Sequence, residues 1–260
     1  MLIVRFSFRG KVKYGTLVKN VIYGLKGSPF THFKQLSDPA MLDGSLYRLE
    51  EVKLLAPCRP SKIICTAVNY RSHAEEMKLS IPSEPLYVIK PSTAVIGPED
   101  TIVLPHQWKR VDYEGELGIV IGTKTREVPE EKAREYIIGY TCVNDVTERY
   151  VQMEEDDWFR AKAYDTFAPL GPCIQTELDP NHVKIETYLN LELQQSSYTS
   201  DLIFGVFKLL SFIAGIMTLL PGDVIATGTP PGVGCMNPGD VVEVRIEKIG
   251  MLRNFVVSQD

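Results

Sequence analysis

The sequence VDYEGELGIVIG, residues 111–122, joins two glutamates to an apolar run interrupted by glycines. Because side chains alternate between the two faces of a β-strand, Glu114, Glu116 and Gly118 lie on one face. The opposite face carries Tyr113, Leu117, Ile119 and Ile121. The two carboxylates are then about 6.6 Å apart along the strand, so their oxygens can converge on one ion. The segment predicts a largely buried strand with two carboxylates on one side.

The role of this glutamate pair has two interpretations. A solvated strand face is the ordinary environment of glutamate side chains. An ion-binding site is favoured by the glycines around Glu114 and Glu116, which leave space for another group, and by the apolar run that follows. The segment by itself leaves both interpretations open.

A third carboxylate, Asp145, ends the apolar segment 138–145. At such a strand end an aspartate commonly caps the turn that follows. It is also where a third oxygen ligand would join Glu114 and Glu116. Three carboxylates without a histidine or cysteine favour Mg²⁺, Mn²⁺ or Ca²⁺ over zinc.

The segment NYRSHAEE, residues 69–76, has the spacing of a helix start. Ser72 and Glu75 form the pattern of a capping box, which predicts a helix beginning at this point. His73 then lies in the first turn and shares a helical face with Glu76. That geometry suits a base oriented by a carboxylate, whereas the alternative is an exposed helix with an incidental histidine.

Four further polar residues follow in less distinctive surroundings. Arg149 and Gln152 share one side of a predicted turn, and Lys162 is one of 28 basic residues in the chain. Thr229 lies in the glycine-rich segment 227–234, which lacks the lysine and spacing of a phosphate-binding loop. Its backbone N–H groups and the Thr229 hydroxyl are suited to an anion, while a simple turn is the alternative.

Composition narrows the class of protein. The 260 residues are 44% hydrophobic and carry a net charge of −5 without a basic stripe, which argues against nucleic acid or an anionic membrane as a partner. Five scattered cysteines favour a reducing cytoplasm over a disulfide framework. The apolar segment 202–220 has Lys208 near its middle, so we expect a buried helix there and not a membrane span.

The chain divides into two predicted parts. Residues 1–56 contain three short strand patterns and form a small N-terminal domain, which a proline-rich linker at 56–60 joins to a larger domain at 57–260. Strand patterns dominate the larger domain, and its few helical patterns do not alternate with them. A strand-rich α+β fold is therefore expected, and a doubly wound sheet or a (β/α)8 barrel is not. The predicted strands include Thr101–Leu104, Ile137–Asn144, Ile185–Leu193 and Val241–Ile246.

Taken together, these segments resemble the fumarylacetoacetate hydrolase family, in particular its 2-hydroxyhepta-2,4-diene-1,7-dioate isomerase and acylpyruvase-like branch. The likeness covers residues 58–250. It rests on five motifs in the family's order, within residues 69–76, 112–117, 144–152, 162–172 and 221–234.

The resemblance implies a fold of rolled, layered mixed β-sheets with few helices, in a homodimer. It implies a Mg²⁺ or Mn²⁺ site at Glu114, Glu116 and Asp145, with Ca²⁺ as a further candidate. The implied catalytic residues are His73 and Glu76, which handle water or a proton, and Lys162. The residues implied to contact the substrate's charged oxygens are Lys162, Arg149, Gln152 and Thr229.

The resemblance also implies a reaction class. A 2-oxo acid or its enol binds the metal, and the expected enzyme is a hydrolase or isomerase of a 2-oxo or 2-hydroxydienoic (di)carboxylic acid in aromatic-compound degradation. An oxaloacetate tautomerase or decarboxylase is the alternative, and a non-catalytic relative that binds a small acid is a more remote one. Departures such as Ala67 and the Asn190-Leu191 turn argue against adopting the substrate of any single relative.

Overall fold

The computed structural model describes residues 1–31 and 33–259, and β-strands dominate them. The largest sheet has twelve strands: β1 (Leu2–Phe8), β2 (Lys11–Val18), β3 (Val21–Leu25), β4 (Leu42–Arg48), β5 (Lys53–Leu55), β6 (Lys62–Ala67), β7 (Leu86–Pro91), β8 (Val95–Ile96), β11 (Gly115–Ile121), β12 (Ile137–Asn144), β14 (Ala168–Gln175) and β17 (Val224–Ala226). Its main order is β4-β3-β2-β1-β14-β12-β11-β17-β6-β7, with β5 on β1 and β8 on β14.

Two smaller sheets and a few helices complete these parts of the chain. One sheet contains β10 (Val111–Tyr113), β13 (Thr147–Glu148) and β18 (Gly234–Cys235). The other contains β9 (Thr101–Leu104), β15 (Lys184–Leu189), β16 (Glu192–Tyr198), β19 (Val241–Ile246) and β20 (Gly250–Ser258). The α-helices are α1 (Arg71–Glu76), α2 (Arg149–Glu154), α3 (Trp158–Lys162) and α4 (Val206–Ile216). The prediction of a strand-rich α+β fold with mixed sheets is confirmed.

Apolar residues, alternately buried in β9 and continuous in β12, account for the strands that the sequence predicted well. The bounds of β9, β12 and β19 coincide with their predictions. The single strand predicted for 185–193 is wrong, because Asn190 and Leu191 take φ values of 51° and 70° and fold the segment into the β15–β16 hairpin. Two successive positive φ values are the backbone of a type I′ turn, whose twist suits a two-residue hairpin.

The apolar segment near residue 210 forms a helix inside the protein, as predicted. Helix α4 is shorter than the apolar segment 202–220, and it buries Val206, Leu209, Leu210, Ile213 and Ala214. None of the helices within residues 1–31 and 33–259 is both long and apolar enough to cross a membrane.

The N-terminal strands continue the largest sheet. Strand β1 pairs with β14, where Leu2 lies opposite Gln175 and Ile3 opposite Ile174. The expected linker is packed, since Ala56 and Cys58 are buried. The division of the chain at residue 56 stays a prediction.

Four consecutive strands of the largest sheet, β12, β11, β17 and β6, each have one end at the same edge of the sheet, the edge that runs across the strand ends. Strand β11 lies antiparallel to β12 and β17, and β17 lies parallel to β6. The start of β11 is therefore beside the ends of β12, β17 and β6. This arrangement brings together residues that lie far apart in the chain, from Ala67 to Thr227.

Candidate active site

Three carboxylates lie at this edge. Glu114 and Glu116 flank the first residue of β11, and Asp145 follows the last residue of β12. All three side chains are buried, and one oxygen from each lies within 4.8 Å of the others. The backbone fixes this geometry: Glu114 N–H donates to Asn144 Oδ1 at 2.9 Å, and Asp145 N–H donates to Glu114 O at 2.8 Å.

The glycines beside the glutamates are packing positions. A Cβ on Gly115 would lie 2.1 Å from Thr187 Oγ1, and one on Gly118 would lie 2.6 Å from Val143 Cγ2. The expectation that these glycines leave space for a bound group is therefore wrong. They allow β15 and β12 to approach β11 closely instead. Any space for a ligand therefore lies on the side of the carboxylates.

Two buried lysines balance part of this negative charge. Lys162 Nζ donates to Glu114 Oε2 at 3.0 Å, to Thr147 Oγ1 at 2.9 Å, and to Asp145. Lys90 Nζ lies 2.7 Å from Asp145 Oδ1. Although burial opposes ionisation, Lys162 and Lys90 lower the pKa of Asp145 to about 2.

Glu116 is in a different electrostatic position. Burial, together with the charges of Asp145 and Glu114, raises its pKa well above the ordinary value. Its carboxylate accepts the N–H of Gly228 at 2.7 Å, and within the described parts of the chain it forms no ion pair. A cation between the three carboxylates would remove this repulsion.

Asp145 Oδ1 is also open to a further partner. Its neighbour Lys90 directs hydrogen bonds to Val146 O at 2.7 Å and Phe167 O at 2.5 Å. Lys90 Nζ, 2.7 Å from Oδ1, therefore divides its three N–H groups between this oxygen and two carbonyls. A carboxylate oxygen accepts more than one partner, and the all-carboxylate donor set fits a hard divalent cation such as Mg²⁺ or Mn²⁺.

Arg149, at the start of α2, is held by acids on both sides. Its Nε donates to Asp112 Oδ2 at 2.9 Å, its guanidinium also pairs with Glu114, and a third bond reaches Gln152 Oε1 at 2.5 Å. Burial opposes the charged form, but Glu114 and Asp112 together raise the pKa of Arg149. The expected shared side for Arg149 and Gln152 is present in the structure.

His73 and Glu76 are in contact on α1. His73 Nδ1 lies 3.0 Å from Glu76 Oε2, and Glu76 Oε1 accepts the N–H of Gly232 at 3.2 Å. The predicted capping box is wrong, because Tyr70 is the N-cap and the Ser72 hydroxyl and N–H bond to Asp201. The side chain of Asp201 thus takes the Ser72 donors.

The glycine-rich segment supports the carboxylates. Thr229 Oγ1 donates to Gly115 O at 3.0 Å and accepts from Gln195 Nε2 at 2.8 Å. The anions that the backbone N–H groups of this segment contact are two protein carboxylates, Glu116 through Gly228 and Glu76 through Gly232. A substrate contact by Thr229 stays a prediction.

A cavity of about 190 Å³ opens beside these groups. Seven of the nine predicted site residues line it. The other two contact lining residues: the buried Asp145 contacts Lys162, and the exposed Glu76 contacts His73. The seven are His73, Glu114, Glu116, Arg149, Gln152, Lys162 and Thr229.

Sequence reasoning missed two charged residues of this site. Lys90 lies on the same face of β7 as Val88, which lines the cavity, so strand alternation was the available signal. Asp112 is the first residue of the motif at 112–117, where no role was predicted for it, and it pairs with both Arg110 and Arg149. Its position two residues before Glu114 was the signal for Asp112.

Comparisons with known proteins give matches along most of the chain. A model described as fumarylacetoacetate (FAA) hydrolase C-terminal matches residues 62–257, and one described as Rv2993c-like N-terminal matches residues 1–57. The crystal structure of 5-carboxymethyl-2-hydroxymuconate delta-isomerase from Mycobacterium smegmatis is 40% identical, with a TM-score of 0.92 and 100% of both chains covered.

Two further proteins bear on the chemistry. The oxaloacetate tautomerase Fahd2a of Rattus norvegicus, a mitochondrial protein, is 38% identical over 80% of this chain and 70% of its own. A maleylpyruvate hydrolase from Sphingobium sp. SYK-6, solved with manganese(II) and pyruvate, is 29% identical with a TM-score of 0.84 and covers 100% of both chains.

Proposed function

Because the chain belongs to the fumarylacetoacetate hydrolase family, we propose that it is a divalent-metal-dependent enzyme that acts on a 2-oxo acid through its enolate. The observation that carries this proposal is the buried group of Glu114, Glu116 and Asp145 beside the cavity. The match also confirms the family resemblance that the five motifs predicted.

The three carboxylates would hold Mg²⁺ or Mn²⁺. When bound, the ion supplies the positive charge that stabilises an enolate. Lys162 and Arg149 keep Glu114 ionised and oriented toward this position, since burial alone would raise its pKa and these two cations lower it. The manganese and pyruvate bound by the Sphingobium hydrolase support the same assignment.

For a 2,4-dioxo acid, the proposed reaction is hydrolysis of a C–C bond. His73, oriented by Glu76, takes a proton from water as the water oxygen bonds to C4. The C3–C4 bond then breaks, its electron pair forms the enolate of the 2-oxo acid, and C3 receives a proton. The products are a carboxylic acid and a 2-oxo acid, and Arg149, Gln152 and Thr229 orient the substrate's oxygens.

The same groups also suit proton movement without hydrolysis. The names of the Mycobacterium smegmatis and rat proteins favour isomerisation of a hydroxydienoate or keto–enol exchange of oxaloacetate. In both reactions His73 would move one proton between substrate atoms and no water would add. Decarboxylation of oxaloacetate is a further possibility at this site, because loss of CO₂ leaves the same enolate.

The test is a Mg²⁺-dependent ultraviolet assay over acylpyruvates, hydroxydienoates and oxaloacetate. We expect turnover of at least one class that EDTA abolishes and Mg²⁺ restores. His73→Ala should lower kcat by about 10²–10⁴-fold, the usual contribution of a general base, and retain the rise in Tm that Mg²⁺ produces. Equal, negligible rates for both proteins on every class would favour a small-acid-binding relative over an enzyme.

A further inference from the structure

The wall of the cavity changes character from its floor to its mouth. The charged floor is buried, with Glu116 1% and Lys162 4% exposed. Toward the mouth the lining is apolar and increasingly exposed: Met77 is 39%, Leu79 48%, Met153 62% and Trp158 39% exposed. The remaining apolar lining residues are Ala67, Val68 and Val88.

Each basic side chain of the lining contacts a carboxylate of the protein. Arg149 pairs with Asp112 and Glu114, and Lys162 pairs with Glu114 and Asp145. His73, one helical turn before Met77, contacts Glu76. Of the cavity-lining side chains described, none on the apolar wall therefore offers an unpaired cation to a ligand.

Basic residues near this wall in sequence do not change the conclusion. Lys78 stands between Met77 and Leu79, but it is exposed and does not line the cavity. Arg160, close to Trp158, is paired with Glu155.

We infer that the end of the substrate remote from its 2-oxo group is an apolar tail, held against Met77, Leu79, Met153 and Trp158, and is not a second carboxylate. This inference rests on the proposed function, because the 2-oxo end occupies the charged floor. It narrows the substrate to 2-oxo or 2,4-dioxo monocarboxylic acids with an alkyl or aryl group.

The physical basis is the partition of the ligand between water and the wall. An alkyl tail covers side chains that are otherwise exposed, and each buried methylene strengthens binding by about fourfold. A carboxylate at the same position loses water and finds no positive partner on the wall. We therefore expect a terminal carboxylate to weaken binding by about tenfold relative to a methyl group.

Binding of non-reacting probes tests the inference apart from turnover. The dissociation constants of 2-oxobutanoate, 2-oxohexanoate, 2-oxooctanoate and 2-oxooctanedioate are measured by calorimetry on the full chain with Mg²⁺. We expect affinity to rise from the four-carbon to the eight-carbon monoacid and to fall for the diacid. Affinity independent of tail length, or a diacid that binds as tightly as 2-oxooctanoate, would overturn the inference.

Variants assign the effect to the wall. Leu79→Lys adds a cation there and should improve binding of 2-oxooctanedioate by up to about fivefold, the range for an exposed ion pair. Met153→Ser should flatten the dependence on tail length. Leu46→Lys, at an exposed leucine on β4 outside the cavity lining, is the matched control and should behave as wild type.

These outcomes distinguish failure of the proposed function from failure of the tail assignment. If no 2-oxo acid binds with Mg²⁺ present, the proposed function fails and the inference fails with it. If the acids bind but Lys78→Ala selectively weakens the diacid, a carboxylate reaches Lys78 and only the tail assignment is overturned. Binding that follows tail length in wild type and not in Met153→Ser supports both.

Discussion

Glu116 is the carboxylate whose environment requires a cation most. It is buried beside two other acids, and its own protein partner is the N–H of Gly228. Glu114 and Asp145 differ because Lys162 contacts both of them. The unbalanced charge is therefore concentrated on one residue, which makes that residue the best place to test the metal site.

Glu116→Gln should abolish most of the stabilisation that Mg²⁺ gives. A ligand at 100 times its Kd raises the free energy of unfolding by about 2.7 kcal/mol, and loss of one of three carboxylates should remove most of that gain. Thermal unfolding with and without Mg²⁺ measures it.

The control is Glu243→Gln, at a buried glutamate paired with Arg245 outside the carboxylate group. That variant should keep the Mg²⁺-dependent rise in Tm. An undiminished rise in Glu116→Gln would remove Glu116 from the metal site.

At the scale of residues, the sequence predicted contacts between side chains that are a few positions apart in the chain. Glu114 and Glu116 are two residues apart on one strand, and His73 and Glu76 are three apart on one helix, so spacing alone predicts their contact. Lys90 was not predictable in this way, because it reaches Asp145 from a strand 55 residues away in the chain. Nothing in its neighbourhood separates it from the other basic residues except its face on β7.

At the scale of elements, the β15–β16 hairpin departs from the preferred turn chemistry. Asn190 is suited to a positive φ, whereas a φ of 70° is sterically unfavourable for Leu191. Leu191 is 78% exposed, so its side chain gains little from burial. Glycine at the second position is the usual solution for a type I′ turn.

Leu191→Gly should therefore raise the free energy of unfolding by about 0.5–1 kcal/mol. This is the steric cost of a left-handed leucine, less the greater backbone entropy that glycine loses on folding. Urea denaturation measures the change.

Leu193→Gly is the matched variant, because Leu193 lies inside β16 and is 51% exposed. It should lower the free energy of unfolding by about 0.5–1 kcal/mol, since glycine weakens a strand interior. Destabilisation by Leu191→Gly would show that its side chain makes contacts that outweigh the turn strain.

Strands with a simple apolar pattern were predictable. Strands that contain prolines, a glycine or a buried polar residue were not. Strand β14 contains two prolines and a glycine, residues that ordinarily argue against a strand. Strand β20 buries Asn254, whose amide donates to Gly97 O and Asp100 O, both at 2.9 Å. That tertiary partner makes a polar residue acceptable in the interior and hides the apolar pattern.

At the scale of the whole molecule, the packing of the N-terminal strands bears on whether residues 1–56 fold independently of the rest of the chain. Ile3, Val4, Phe6 and Ile22 are fully buried, and Ile3 and Ile174 belong to one apolar cluster. Each such side chain contributes about 1.5–3 kcal/mol through burial. The predicted boundary at residue 56 thus lies within a continuous sheet.

Deletion of residues 1–56 should leave a chain that does not fold cooperatively. The deletion removes β1, one of three strands paired with β14, and exposes both an apolar face and a strand edge, which favours aggregation. Calorimetry of the full chain should accordingly show one unfolding transition. A deletion variant that melts cooperatively near the Tm of the full chain would instead establish two independent domains.

The parallel pairing of β6 with β17 has a consequence for the order of folding. Ile63 lies opposite Val224, so this pair must close a segment of more than 150 residues. Pairings of such long range form slowly, because their loop entropy is lost before the contacts repay it. During synthesis on the ribosome, β6 cannot pair with β17 until most of the chain has been made. The edge that carries Glu114, Glu116 and Asp145 is therefore completed late. A folding intermediate with the β1–β2 and β11–β12 hairpins formed and no metal affinity is the state we expect to precede the native protein.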